Sequence, residues 1–491
     1  MAHQVTGSQP PYEAPPPRLA VETNGINVIA EAERKGTPRQ LFWPWFGANV
    51  SVLGLSYGAF TLGFGIGFWQ AVVAGVVGIV VSFALCGLVA IAGKRGSAPT
   101  LVLSRAAFGV TGGRVPAVLS WVLTVGWETV LTSLATLATA TVLTELGWGG
   151  GTATKVVALL VVAALVVAGG VLGFDLIMRM QAVITVVTGV LTVVYLVLVL
   201  DDVDWSAVTA LPSGSAELFI GALVLVMTGY GFGWVNAAAD YSRYLPRTAS
   251  TRGVVGWTTF GSALAPVLLL VFGLLLAGSS GDLSTAISAD PIGALATLLP
   301  TWFLVPFAVV AVLGLVGGAV LDIYSSGLAL LAAGARVPRP VAASIDGVLM
   351  VLGAIWVVFL AEGTFFTQFQ GFLITLGVPV AAWCGIFLAD LLLRRRDYAE
   401  ADLYDPRGRY GAAQPVPLLL LALGTVLGWG LVTNSYAGWL DWQGYLLGPV
   451  GLGGRDGAWA YANLGVLVAL VVGFLGTLLL RRGAVRRQEA A

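Results

Sequence analysis

Histidine and cysteine are almost missing from this sequence. The only histidine is His3, and both cysteines, Cys86 and Cys384, sit in apolar stretches, where a thiol behaves as a small hydrophobic group. These numbers exclude histidine-based metal sites, Ser-His-Asp catalysis and a disulfide framework. A GxxxxGK[ST] nucleotide loop and a TVGYG-like ion filter are missing too, which excludes an ATP-driven pump and a potassium-type channel. We therefore expect neither an enzyme nor a protein with a metal or an organic cofactor.

Charged residues are also scarce. They make up 10% of the chain, and the formal net charge is zero, whereas soluble domains carry about 25% charged residues. Nucleic-acid binding needs a concentration of basic residues, so a nucleic-acid partner is excluded. With 57% hydrophobic residues and a mean hydropathy of +0.90, the chain has too little polar surface for a soluble protein. Its expected surroundings are a lipid bilayer.

Twelve apolar stretches are long enough to cross a bilayer as helices, which takes about 20 residues each. We number them spans 1 to 12; they cover residues 45–69, 71–93, 116–144, 154–174, 176–200, 215–238, 253–277, 303–333, 341–361, 367–393, 415–436 and 458–480. The expected fold is an all-α integral membrane protein. Residues 1–40 are polar, rich in proline and unlike a signal peptide, so we expect a disordered cytoplasmic N-terminal tail. Residues 481–491 would form a cytoplasmic C-terminal tail.

Basic residues indicate how the spans are oriented, since cytoplasmic loops of membrane proteins are rich in Lys and Arg. If the N-terminus lies in the cytoplasm, only Lys155 and Arg455 of the 25 Lys and Arg residues fall on the outer side. An error of one span would destroy this alternation. The pattern therefore favours twelve spans, cytoplasmic N- and C-termini, and a multi-pass protein of the cytoplasmic (plasma) membrane.

Twelve spans without a large soluble domain are typical of a secondary transporter. Many such transporters contain two inverted repeats of five helices, and the first helix of each repeat is broken near the bilayer centre. Glycines crowd span 1 from Gly47 to Gly67 and span 6, five spans later, from Gly221 to Gly233. Close helix packing through small residues is the alternative explanation. The predicted units are a first repeat at 41–200, a second repeat at 215–393, and two additional helices at 415–480.

Two carboxyl groups lie deep within predicted spans, where a charge costs at least a few kcal/mol. Glu128 is near the centre of span 3, and Asp322 is within span 8. A carboxyl in such a place is a candidate for contacting substrate or for carrying a proton. A fixed hydrogen bond between helices is the alternative for each.

Three further acidic residues near span ends have structural interpretations. Asp240 is expected to pair with Arg243 or to cap a helix end, and Asp390 to form an i,i+4 ion pair with Arg394. Asp346 reads as an acid in the first turn of span 9, where it would face the helix dipole.

Two tryptophans fall inside spans, away from the interfaces where most others are expected. Trp127 precedes Glu128, and Trp234 ends the segment Gly229-Tyr230-Gly231-Phe232-Gly233-Trp234 at the proposed break of span 6. A flat ring could stack on Trp127 or on an aromatic residue of span 6. Backbone groups of the break and a carboxyl would then bind its polar edge. Ordinary packing is the alternative for each aromatic residue.

Ordered short motifs add a resemblance to a known family. They are EAERKG at 31–36, LFWPWFGAN at 41–49, AP at 98–99, SRAAFG at 104–109, GW at 126–127, ADYSRYLP at 239–246, IYSSGL at 323–328 and the segment 369–390. In this order and spacing they resemble the nucleobase–cation symporter family, and within it the purine–cytosine permease branch, over about residues 30–480. The resemblance implies a leucine-transporter-like fold with two five-helix inverted repeats and substrate between spans 1, 3, 6 and 8.

The resemblance also implies roles for particular residues. Trp127 would stack on the substrate ring, the 230–234 segment would supply an aromatic group and backbone groups, and Asp322 stands where relatives often have Asn. The candidate substrate-binding residues are Asn49, Ser51, Trp127, Glu128, Thr132, Tyr230, Gly231, Phe232, Gly233, Trp234 and Asp322. Glu128 and Asp322 are also the candidates for cation or proton coupling.

Two positions depart from the pattern of the family. Relatives often carry Gln or Asn four residues after the tryptophan of span 3, where this chain has Leu131, so a hydrogen bond to substrate is lost unless Glu128 or Thr132 replaces it. Sodium-coupled members use hydroxyl groups of span 8 where this chain has Val316 and Gly317. We therefore expect proton coupling rather than sodium coupling.

The expected function is import of a nucleobase or related ring compound, of the cytosine and purine class, by cation symport. The alternative is a permease on the same fold for another small nitrogenous solute, such as an amino acid or a hydantoin- or allantoin-like ureide. The sequence does not choose among these rings, and it does not fix an oligomeric state.

Overall fold

The computed structural model describes residues 24–434 and 438–491, apart from the side chain of Asp175. All regular secondary structure in these residues is helical, which confirms the predicted all-α class. Apolar stretches of this length form helices in lipid because every backbone polar group is then satisfied within the segment.

Nine helices in the described part of the chain are long and apolar enough to cross a membrane. They correspond to spans 2 to 10 and run Phe68–Gly96, Arg114–Glu145, Thr152–Leu172, Leu176–Leu198, Ala216–Ser242, Thr251–Ser279, Thr301–Ala333, Arg339–Phe359 and Phe365–Leu393. Span 12 (Leu464–Leu480) meets a final helix, Arg482–Ala490, at an angle of 58°. Spans 1 and 11 contain only shorter helices, so helix length does not confirm the predicted number of twelve.

The ends of spans 11 and 12 differ from the prediction. Span 11 is the helix Pro415–Trp429, and its predicted last residues, 435 and 436, lie outside the described residues. Span 12 begins at Leu464 instead of residue 458, because the glycine-rich segment before it forms turns.

Spans 1 and 6 are both broken, as the glycine pattern predicts. Span 1 consists of the helices Phe42–Asn49 and Leu53–Leu62, and Val50 leaves the helical conformation with φ −82° and ψ 77°. Span 6 begins as Ala216–Gly229 and breaks at Tyr230, with φ −116° and ψ −97°. It continues through the short helices Gly231–Trp234 and Ala238–Ser242, which a 3-10 turn joins.

Glycines of span 8 allow the break of span 1 to lie directly against that helix. A Cβ atom on Gly314 would lie 2.9 Å from the carbonyl oxygen of Val50, and one on Gly317 would lie 3.0 Å from that of Gly47. Small residues permit such close approach of helix backbones within a membrane. The broken part of span 1 is therefore in backbone contact with span 8.

A second contact of this kind joins the latter half of span 1 to span 7. A Cβ atom on Gly58 would lie 2.1 Å from the carbonyl carbon of Gly273, and one on Gly273 would lie 1.9 Å from the carbonyl oxygen of Leu55. Backbone meets backbone here, with no side chain between the two helices.

The sequence analysis expects a disordered tail at 1–40, of which residues 1–23 lie outside the described residues, whereas residues 24–40 pack against the rest of the chain. From Asn24 onward it crosses the ends of several spans: the backbone N–H of Ile29 donates to the Ser97 carbonyl and that of Lys35 to the Tyr244 carbonyl. Arg243 donates to the Gly25 carbonyl over 2.8 Å. We call residues 24–37 the N-terminal strap. Backbone pairing with the loops outweighs the polar composition from which disorder was expected.

The loop between spans 10 and 11 also holds the strap. Glu400 pairs with Arg34 over 3.1 Å and with Arg247, and the Tyr404 hydroxyl donates to the Ile26 carbonyl. Burial raises the pKa of Tyr404 to about 12, so its hydroxyl remains a hydrogen-bond donor at physiological pH.

The C-terminal segment 481–491 is also attached to the body of the protein. Gln488 accepts a hydrogen bond of 2.8 Å from Arg394, and Glu489 accepts two from backbone N–H groups at the end of span 10. Its helix therefore packs against the end of span 10.

Candidate functional site

A cavity of about 50 Å³ lies between the breaks of spans 1 and 6. Six of the predicted site residues line it: Asn49, Ser51, Trp127, Tyr230, Trp234 and Asp322. Tyr57 and Leu131, which were not predicted as site residues, line it as well. The structure thus brings spans 1, 3, 6 and 8 together as the sequence analysis expects.

Aromatic rings form much of the cavity wall. The Tyr230 ring lies 4.5 Å from that of Tyr57, and Trp127 packs edge-on against Phe369 of span 10 with ring centres 5.4 Å apart. Gly233 makes room for Trp127, because a Cβ atom there would lie 2.9 Å from the indole nitrogen. These faces suit a flat ring.

Three polar atoms on cavity-lining residues are buried and have no hydrogen-bond partner within the described residues. They are Trp127 Nε1, the Tyr230 hydroxyl oxygen and Asp322 Oδ1. Leaving a buried polar group unpaired costs about 1–3 kcal/mol. One N–H donor, one hydroxyl and one carboxyl acceptor around a single cavity match a ligand that has both donors and acceptors.

Asn49 and Ser51 are already engaged with the protein. The Asn49 amide donates to the Trp45 carbonyl over 2.8 Å, and the Ser51 hydroxyl accepts from the backbone N–H of Leu53 over 3.3 Å. They shape the break of span 1 and line the cavity at the same time.

Fewer backbone groups at the break of span 6 are free to bind substrate than the sequence analysis expects. The N–H of Gly231 donates to the Ser82 hydroxyl, and its carbonyl accepts from the Cys86 thiol, both over 3.1 Å. The Gly229 carbonyl accepts from the Tyr57 hydroxyl over 3.1 Å. Span 2 thus already pairs with both backbone groups of Gly231, and only the second lone pair of its carbonyl oxygen is left for substrate. Substrate binding by the Gly231 backbone stays a prediction.

Phe232 and Gly233 belong to the same broken segment without lining the cavity. Phe232 is fully buried in the hydrophobic core. Gly233 acts only through the space that it leaves for Trp127. The sequence analysis expects both residues to bind substrate, but neither of them lines the cavity.

Glu128 and Thr132 do not line the cavity, so their role as substrate-binding residues stays a prediction. Trp127 lines the cavity, and successive residues of a helix point about 100° apart, so Glu128 points in another direction. Its electrostatic neighbours are Asp346, Ser326 and Asp322, and Thr132 donates to the sulfur of Met350 over 3.1 Å. Neither carboxyl oxygen of Glu128 has a hydrogen-bond partner within the described residues.

Asp346 is a polar centre whose depth in span 9 differs from the sequence interpretation. It lies two turns into the helix that begins at Arg339, so it is not an acid of the first turn. It accepts hydrogen bonds from Trp121 Nε1 over 2.7 Å and from the Ser326 hydroxyl over 2.9 Å. Arg339 is the basic residue at which the helix begins, two turns before Asp346. This residue is the sequence signal that could have shown how deep Asp346 lies.

Of the other two acidic residues near span ends, Asp390 forms the predicted ion pair, and Asp240 has a structural role with a different partner from the one expected. Asp240 accepts from the backbone N–H and the hydroxyl of Thr100, each over 2.8 Å, and so caps the short helix Thr100–Leu103. Asp390 pairs with Arg394 over 2.6 Å and 3.0 Å. Both pairs are buried, which ties the loops between spans to the helix ends.

A glutamine of span 5 lies where span 1 meets span 8. Gln181 Nε2 donates to the Gly317 carbonyl over 2.6 Å, and a Cβ atom on Gly47 would lie 2.2 Å from Gln181 Oε1. Gln181 was not singled out from the sequence. Among the described residues, no group of three or more His, Cys, Asp or Glu side chains could hold a metal ion.

Comparison with known proteins places this site in context. A family model described as "permease for cytosine/purines, uracil, thiamine, allantoin" matches residues 28–451. The Bacillus subtilis (strain 168) protein "Putative purine-cytosine permease YxlA" is 23% identical over 455 residues, which cover 90% of this chain and 93% of that protein.

Two solved structures resemble this one closely in fold. Mhp1, a nucleobase-cation-symport-1 family transporter in a closed conformation with bromovinylhydantoin bound, has a TM-score of 0.70 at 20% identity, covering 95% of each chain. A Na⁺-coupled sialic acid symporter has a TM-score of 0.62 at 12% identity, covering 94% of this chain and 93% of that one. These similarities show a shared fold and confirm the expected leucine-transporter-like arrangement.

Proposed function

Because this chain belongs to the family of permeases for cytosine/purines, uracil, thiamine and allantoin, we propose that it imports a nucleobase or a related ring compound by cation symport. The observation that carries this proposal is the set of unpaired polar atoms of Trp127, Tyr230 and Asp322 around one aromatic-walled cavity. A nucleobase offers a flat face and an edge with hydrogen-bond donors and acceptors, and both match this lining.

In the proposed complex, the ring stacks on Trp127 while its polar edge meets Asp322 and the Tyr230 hydroxyl. The Asp322 carboxylate accepts from ring N–H groups, and the Trp127 and Tyr230 hydrogens serve ring carbonyl or nitrogen acceptors. A site built to pair polar groups discriminates strongly against rings that lack them, because its own groups would then stay buried and unpaired.

A proton is the proposed coupling ion, with sodium as the less favoured one. The Gly317 carbonyl, on the part of span 8 that packs against span 1, already accepts a hydrogen bond from the amide of Gln181. No hydroxyl stands at Val316 or Gly317 to add a sodium ligand. Glu128 and Asp322 are among the buried carboxyls that could bind a proton.

The proposed orientation follows from the basic residues. Only Lys155 and Arg455 would lie outside if both termini are cytoplasmic. The protein would then be a multi-pass protein of the cytoplasmic (plasma) membrane, in which residues 41–200 and 215–393 are the two inverted repeats. The N-terminal strap and the C-terminal helix lie on the cytoplasmic side in this arrangement.

A hydantoin-like ureide is the second candidate substrate. The solved Mhp1 structure holds bromovinylhydantoin, and the cavity of this chain is lined by Leu131 where relatives often have Gln or Asn. The apolar side chain of Leu131 favours a ring that has fewer hydrogen-bond donors and acceptors on the edge that faces it.

The test is uptake of radiolabelled cytosine, adenine, uracil and allantoin by cells that lack their own permeases. We expect uptake of one ring that collapses with a protonophore and persists when sodium is replaced. Trp127→Ala should abolish it at unchanged membrane expression, whereas Trp148→Ala, at a residue 70% exposed, should not. Absence of uptake of all four rings by expressing cells would overturn the substrate class, and normal uptake by Trp127→Ala would overturn the site.

A further inference from the structure

A line of polar side chains leads from the cavity toward one end of spans 3, 8 and 9. Asp322 lines the cavity, and Ser326 follows it by one turn on the same face of span 8. Glu128 of span 3 neighbours both, and Asp346 of span 9 accepts from Ser326. The line thus consists of four neighbouring polar side chains on three helices.

Glu128 is the unpartnered member of this line. It is fully buried, and neither of its carboxyl oxygens has a hydrogen-bond partner within the described residues. The charged groups that face it are Asp346 from span 9 and Asp322 from span 8, both acidic. An unpaired carboxylate in this position would carry a large desolvation cost, whereas a protonated one needs only an acceptor.

Ser326 is placed to be that acceptor. Its hydroxyl oxygen lies 2.9 Å from Asp346 Oδ2 and 3.3 Å from the Ile323 carbonyl oxygen. When its single hydrogen points to Asp346, the nearer acceptor, the oxygen lone pairs remain available to a hydrogen on Glu128. A protonated Glu128 can therefore donate to Ser326, which donates to Asp346. Trp121 Nε1 fixes the other oxygen of Asp346 over 2.7 Å.

The line also has a direction along the membrane normal. Trp121, Ser326 and Asp346 each lie seven residues from an end of their helices, at Arg114, Ala333 and Arg339. At about 1.5 Å per residue, all three lie about 10 Å from that end of the bundle, and Glu128 lies about 20 Å from it. That end is the cytoplasmic one in the proposed orientation.

We propose that Glu128, Ser326 and Asp346 form the proton site of the symporter, separate from the ring cavity and leading from it toward the cytoplasm. The proposal rests on the proposed proton-coupled function. A proton binds the Glu128 carboxylate; it passes to the Ser326 oxygen as the Ser326 hydrogen passes to Asp346. Glu128 is then a carboxylate, Asp346 is a carboxylic acid and Ser326 is unchanged, so one proton has moved toward the cytoplasmic end.

Two measurements on purified protein test this site. The first follows the infrared band of protonated carboxyl groups as the pH is varied, without any substrate, and so does not depend on the identity of the ring. The second compares, in proteoliposomes, exchange of the ring across the membrane with its accumulation driven by a pH gradient. The variants are Glu128→Gln, Asp346→Asn, Ser326→Ala and Ser326→Thr, with Glu145→Gln, at the exposed end of span 3, as the matched control.

We expect a titrating carboxyl band in the wild type and in Glu145→Gln that is lost in Glu128→Gln and shifted in Asp346→Asn. Exchange should stay within about twofold in Asp346→Asn and Ser326→Ala, while accumulation driven by the pH gradient falls at least tenfold, and Ser326→Thr should restore it. A band that Glu128→Gln leaves unchanged, or full accumulation by Asp346→Asn, would overturn the proton site. Loss of the band in Glu128→Gln without transport of any ring would instead refute the proposed function and keep the proton site.

Discussion

The hydroxyl of Tyr57 donates a hydrogen bond of 3.1 Å to the carbonyl of Gly229, the last residue before the break in span 6. Tyr57 belongs to the second half of span 1, so this bond ties one broken span to the other. It also holds the Tyr57 ring 4.5 Å from that of Tyr230 in the cavity wall.

Tyr57→Phe should destabilise the protein by about 1–3 kcal/mol, because the Gly229 carbonyl is then left unpaired in the core. The ring remains, so packing against Tyr230 should persist. Thermal unfolding in detergent measures the effect, with Tyr461→Phe, at a residue 45% exposed, as the control. Equal stability of the two variants would show that the bond contributes nothing.

Gly233→Ala should weaken ring binding at least tenfold without preventing folding. The added methyl would lie 2.9 Å from Trp127 Nε1 and would push the indole out of its stacking position. Binding is measured by competition against labelled substrate. Gly189→Ala, whose Cβ would meet no atom within 4 Å, is the matched control, and equal affinity of both variants would argue against stacking on Trp127.

Leu131→Gln should change which rings compete for uptake. Leu131 lines the cavity, so an amide there adds a donor and an acceptor beside the ring. Rings that pair with this amide should gain about tenfold over those that do not, consistent with about 1–3 kcal/mol for a buried polar group. Leu131→Met keeps the volume and the apolar character, and it should leave the order of cytosine, uracil and allantoin as in the wild type. An unchanged order in Leu131→Gln would mean that this residue does not contact the ring.

Glu400→Gln should loosen the N-terminal strap. Glu400 forms salt bridges with both Arg34 and Arg247. Partly exposed ion pairs of this kind contribute about 0.2–1 kcal/mol each to stability. Trypsin should then cut after Arg34 or Lys35 about two- to fivefold faster than in the wild type. Glu31→Gln, at an exposed residue of the strap, provides the baseline, and equal cleavage of both variants would exclude Glu400 as an anchor.

The membrane helices could be predicted well because lipid leaves few alternatives to a continuous apolar helix. The breaks at Val50 and Tyr230 were predictable as well, since glycines on both sides weaken the helix there. The strap was mispredicted because its order comes from bonds to distant loops, such as that from Arg243 to Gly25, and local composition carries no record of them.

The candidate site could be predicted only in part. Trp127 and Asp322 were identified because a tryptophan and a carboxyl within apolar spans are conspicuous. Glu128 was named as a substrate contact but does not line the cavity, because a sequence gives the angle between neighbouring residues but not the helix that each one faces. Tyr57 was missed for the same reason, since its role depends on the position of Gly229.

The contact between Gly58 and Gly273 limits how the transporter can move. Since bare backbone meets bare backbone there, no rotamer change can absorb sliding or rotation between the second half of span 1 and span 7. The second half of span 1 and span 7 must therefore move together as one rigid body. This rigid body can rotate relative to the first half of span 1 only about a hinge. That hinge is confined to the three residues from Val50 to Val52.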